Sequence, residues 1–150
     1  MDIKAHTTPA NLDKYSFLWS EARLIIAAVA LFIGGVPPVI YFNPFSGLYG
    51  PVSSLLHLAW IISGLASVYM LYRWNSIGKT LFGKKEKNDM YAFFVSVISG
   101  INLGLTGILG NNIGMSIASS RFVFAIVGLL YLASAGYLWK RWKAHSQKIF

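Results

Sequence analysis

The sequence predicts an all-α integral membrane protein, a four-transmembrane-helix bundle with a short N-terminal interfacial helix. Four apolar runs, 24–42, 52–72, 90–109 and 122–139, carry formal charge only at their edges. Each approaches the ~20 residues with which a helix crosses ~30 Å of hydrocarbon. The runs lack the ~10-residue alternation of a transmembrane barrel, and a helix satisfies every backbone group internally. Composition agrees: 55% of residues are hydrophobic and the mean hydropathy is +0.55. Only 12% are charged, against roughly 25% in an average soluble domain. Spans and loops use up the 150 residues, so 1–150 reads as one four-helix membrane domain.

Thr8 and Pro9 offer a helix start, a capping hydroxyl before a proline whose missing N–H costs nothing in the first turn. Leu12, Tyr15, Trp19 and Ala22 then recur at helical spacing, opposite Asn11 and Lys14. This stretch reads as an interfacial helix or an extension of the first span, anchored by its aromatic rings. The mixed residues before the first run, Asp2 and Asp13 among them, do not resemble a cleaved secretory signal. Glu21 and Arg23 fall at the edge of the first run, where snorkelling into the interface is the expected behaviour; a carboxylate coupled to protons or to a cation is the alternative.

Gly34, Gly35, Pro37 and Pro38 should kink or end the first span near its far end, since proline removes a helical hydrogen bond and clashes with the preceding turn. Residues 39–42 can then run along the interface. The short turn-rich segment 43–51 makes spans one and two an antiparallel hairpin. Loop 74–89 mixes Trp74, Ile77, Leu81 and Phe82 with basic residues, the composition of a surface-lying segment.

Span three is the least lipid-like. Ser96, Ser99, Asn102, Thr106 and Gly110 form one stripe; Gly100, Gly104, Gly107, Asn111 and Gly114 follow an adjacent face. The glycines invite close helix packing, so span three is expected at the centre of the bundle. Span two supplies Ala59, Ser63, Ala66 and Ser67 as partner surface, and span four supplies Ala125, Gly128, Ala135 and Gly136. Serine, threonine and asparagine in such a stripe act either as interhelical glue or as the lining of a hydrated site.

Of the 13 Lys and Arg residues, all but Arg121 lie at the same side of the four spans. By the positive-inside rule both termini and loop 74–89 are expected in the cytoplasm, with anionic lipid rather than nucleic acid as counter-charge. The chain has no cysteine, which excludes disulfides, iron–sulfur clusters and thiolate zinc sites.

His57 is the sole histidine within a span; His6 and His145 are in the tails. With antiparallel spans, His57 and Asn102 should lie at matching depth in the exterior half, below Arg121, Asn43, Asn111 and Asn112 at the mouth. The candidate polar site is therefore His57, Asn102, Ser99, Thr106 and Arg121, and the candidate packing residues are Gly100, Gly104, Gly107 and Gly128. Bis-histidine haem needs a second in-span histidine and hence another chain. No catalytic constellation, metal set or cofactor motif is visible. The leading expectation is a non-enzymatic membrane subunit that packs through small-residue faces, with itself or with other membrane subunits; a homo-oligomeric ion or solute channel or transporter is the main alternative, and a haem-bearing electron-transfer subunit the third.

Overall fold

The computed structural model describes residues 7–150, apart from the side chain at position 46. Lys4 and His6 lie outside the described residues. The chain is all-helical, with four long helices. α1 (Pro9–Phe32) is followed by the one-turn α2 (Pro38–Tyr41); α3 (Tyr49–Ser76) and α4 (Lys87–Leu109) come next; the short α5 (Ile113–Ile117) precedes α6 (Arg121–Ala144). α1, α3, α4 and α6 are each long and apolar enough to cross a membrane.

The expected N-terminal interfacial helix is not a separate element. α1 runs unbroken from Pro9, because Asp13 at its start is held by Arg73 of α3 and Phe17 is fully buried, so the amphipathic stretch packs into the bundle instead of lying on it. α1 ends where predicted. Gly34 and Gly35 take positive φ, +95° and +86°, with Gly35 N–H donating to Ala30 O at 2.7 Å, and Pro37 and Pro38 open α2. Gly110 ends α4 in the same left-handed conformation at φ +71°.

Loop 74–89 also departs from expectation. Leu81 and Lys84 exchange backbone hydrogen bonds in a tight turn, Phe82 N–H donates to Ile149 O, and Leu81 and Phe82 are buried. Leu81, Phe82 and Ile149 thus pack into the core at the basic end of the bundle rather than lie along a surface. There Phe17, Met70, Phe93, Leu138 and Trp142 form the dense hydrophobic core.

The chain is built from two related halves. Asp13-x-Tyr15-x-Phe17-x-x-Ser20 of α1 returns as Asp89-x-Tyr91-x-Phe93-x-x-Ser96 of α4, at the constant spacing of 76 residues that also separates Arg23 from Ser99 and Gly34 from Gly110. Tyr69-x-x-x-Arg73-Trp74 of α3 returns as Tyr137-x-x-x-Arg141-Trp142 of α6. The contacts repeat as well. Phe17 stacks on Trp142 with ring centroids 5.2 Å apart at 32°, and Phe93 on Trp74 at 6.2 Å and 33°. α1 packs chiefly on α6 and α4 chiefly on α3, so a pseudo-twofold axis along the bundle exchanges the halves.

Candidate functional site: a cavity walled by all four long helices

Glycine sets the spacing of the helices around the site. An added Cβ at Gly104 would come within 2.6 Å of Gly64 Cα, so α3 and α4 touch backbone to backbone. Gly107 meets the His57 carbonyl and Ile61, Gly100 meets the Ser67 side chain, and Gly128 meets the Phe32 ring of α1. The predicted packing residues are thus all in helix contacts within the chain. The sequence reading missed Gly64, their counterpart.

Away from this seam the helices form a half-open cavity of about 470 Å3, walled by α1, α3, α4 and α6 and lined also by Pro37, Pro38, Asn112 and Met115. Its walls are mainly apolar. The polar side chains that line it are Trp19, Arg23, Ser63, Ser99, Asn102, Asn112 and Tyr131.

Arg23 lies ten residues beyond Asp13 on α1, about 15 Å further along the helix, and does not snorkel. It turns inward between α1 and α4 and is only 6% exposed. Nη1 donates to Ser99 Oγ at 3.0 Å, and Nη2 donates to Ser96 O at 2.8 Å and Ser96 Oγ at 3.2 Å. All three acceptors are neutral, and buried Nε has no partner. Trp19 Nε1 donates to Ser63 Oγ at 3.0 Å, and Ser63 Oγ in turn donates to Ala59 O. Glu21, also buried, turns instead into the groove between α1 and α6 beside Ala135, Gly136 and Trp139, and its Oε1 accepts no hydrogen bond. The interfacial position expected for this pair is therefore corrected: α1 continues three turns below Glu21 and Arg23, which carries both into the bundle.

The predicted polar site divides. Ser99 and Asn102 line the cavity. Asn102 clamps the far connection, donating through Nδ2 to Asn112 Oδ1 at 2.9 Å and accepting Gly114 N–H on Oδ1 at 3.1 Å. Thr106 Oγ1 donates to its own helix at Asn102 O, a local bond. Arg121 is exposed and lies outside the cavity. His57 also lies outside it: Nδ1 is 2.8 Å from Ser53 O and the ring meets Trp60 edge-on. The shared polar environment expected for His57 and Asn102 does not form, because the register that sets Gly104 on Gly64 and Gly107 on Ile61 leaves His57 about nine residues, ~14 Å, beyond Asn102 along the helices.

Sequence reasoning missed Arg23, Ser96, Trp19, Trp60 and Tyr131 as site residues. The recurrence of Asp-x-Tyr-x-Phe-x-x-Ser would have shown that α1 matches α4 and that Arg23 takes the place of Ser99 in the repeat; Trp60 and Tyr131 lie outside it. The groups present can hold and orient a solute through one cation, several hydrogen-bonding side chains and a large apolar wall. The chain matches no family model, no curated protein and no solved structure.

Proposed function

We propose that this protein is a non-enzymatic membrane protein that holds a small, largely hydrophobic solute inside its helix bundle, as the binding unit of a transport process, with its basic end in the cytoplasm. The observation that carries this reading is the cavity: about 470 Å3 with apolar walls and a few polar side chains converging on it. Small-molecule sites have this size and character, ~300 to 1,000 Å3 with a handful of orienting polar groups. The alternative of a subunit that docks other chains through its glycine faces draws less support, since Gly64, Gly100, Gly104, Gly107 and Gly128 are used inside the chain.

Intact-mass measurement of the protein released gently from its membrane tests the proposal. The expected species is the 16.6 kDa chain plus a small-molecule increment that is lost on unfolding. Recovery solely as the bare chain, or bound solely to other proteins, would count against it.

A further inference from the structure

Three arginines of this chain are hydrogen-bonded within the bundle, and two of them have carboxylates. Arg73 donates through Nε and Nη2 to Asp13, and Arg141 does the same to Asp89. Arg23 is the exception. It is the most deeply placed, it lines the cavity, it forms no ion pair among the described residues, its hydrogen bonds end on serine oxygens, and its buried Nε has no acceptor among the described residues. A guanidinium in a membrane interior is costly unless an anion or a polar pathway meets it.

Glu21 couples to Arg23 electrostatically, yet it makes no ion pair or hydrogen bond with the guanidinium and does not face the cavity. Residues two apart on a helix point to different sides, and Glu21 opens to the α1–α6 groove, not to the cavity. Nor does the fold itself call for an arginine here. The equivalent position in the other half is Ser99, and that half builds the same helix with the same Asp, Tyr and Phe contacts. Arg23 is an addition to one half of a repeated frame, placed where the cavity is.

We propose that the solute is an amphipathic anion, its negatively charged head at the Arg23 guanidinium with Ser99 alongside, and its apolar body against Ala27, Leu31, Leu103 and Val127. This assignment rests on the cavity reading above. Arg23 lines the cavity, and the second Nη1 hydrogen is the donor that the serines leave free for the head. The same chemistry is offered by a free carboxylate amphiphile and by an anionic lipid headgroup reaching in from the membrane.

The test is equilibrium binding of decanoate and of decanol, two probes with one chain and different heads, to the full chain in phosphatidylcholine nanodiscs at pH 8, with empty discs subtracted. The charged hydrogen bonds at stake correspond to about a tenfold or greater preference for decanoate. Arg23→Gln is expected to bring the two affinities together while decanol binding persists. Equal binding of both probes by the unmodified protein would overturn the anion assignment and leave the cavity as a neutral site; this comparison needs no variant and stands if Arg23→Gln fails to fold. Retention of the preference in Arg23→Gln would also overturn it. Binding of neither probe would overturn the cavity reading itself. Replacing phosphatidylcholine by phosphatidylglycerol separates the two sources: a lipid headgroup ligand displaces decanoate, and a free amphiphile site keeps it.

Discussion

Arg141 grips Asp89 through two parallel hydrogen bonds, Nε to Oδ1 at 2.8 Å and Nη2 to Oδ2 at 2.7 Å, while Tyr137 donates a third to Oδ1 at 2.7 Å. Arg73 and Tyr69 hold Asp13 with the same atoms in the same roles. Each clasp ties the first turns of one helix to the last turns of its hairpin partner. The basic end is thereby pinned twice, around a dense aromatic core, and the open volume is left to the other half of the bundle.

Asp89 is fully buried, so Asp89→Asn should leave Arg141 with Glu86 at 3.2 Å as its only carboxylate among the described residues and weaken the fold by about 1 to 3 kcal/mol. Thermal unfolding in detergent would register a large loss. A change within experimental error would mean the clasp is ornamental and that the hydrophobic core alone holds this end.

Gly104→Ala should destabilise the protein more than Leu105→Phe. The added methyl has no space against Gly64, and overpacking of this kind costs ~1 to 3 kcal/mol. Leu105 is 36% exposed, so a larger ring there has open space. Equal melting temperatures for the two variants would contradict the backbone contact of α3 with α4.

Asn102 joins α4 to the connection whose Asn112 and Met115 line the cavity. Asn102→Ala should release the Gly114 N–H and remove one partner of Asn112, a loss of about 0.5 to 1.5 kcal/mol for these part-exposed hydrogen bonds. Hydrogen exchange at Gly114 should accelerate while that at Phe93 stays slow. Unchanged protection at Gly114 would remove Asn102 from this role.

The proposed orientation is open to labelling, because the chain has no native cysteine. Single cysteines at Gly47 and Lys85 lie in loops at opposite ends of the bundle. An impermeant thiol reagent applied to intact cells should modify only Gly47→Cys. Labelling of Lys85→Cys instead would reverse the orientation.

The spans were legible because hydrocarbon imposes a length and a composition that local sequence shows directly. Glu21 and Arg23 were misplaced for the same reason: they interrupt the apolar count, and only the contact of Asp13 with Arg73, residues 60 apart, reveals that α1 extends below them. His57 and Asn102 do not meet, because the apolar runs could not show the register of α3 on α4: Gly64 faces Gly104, which leaves His57 about nine residues, ~14 Å, away from the level of Asn102. Ser99 and Asn102 were recognisable from their place on the polar stripe of α4. The cavity was not, because it arises where the helix contacts stop, and its charge comes from a residue whose counterpart in the repeat is serine.

The occupancy of the cavity is tested most directly by tryptophan fluorescence. Trp19 and Trp60 line it, while Trp74 and Trp142 belong to the basic end and Trp139 to the outer groove. A brominated decanoate titrated into the protein in nanodiscs should quench a saturable fraction of the emission, and that fraction should vanish in the double variant Trp19→Phe, Trp60→Phe. Quenching that rises without saturation, to the same extent in both proteins, would show the probe in the bilayer only and would contradict a solute site within the bundle.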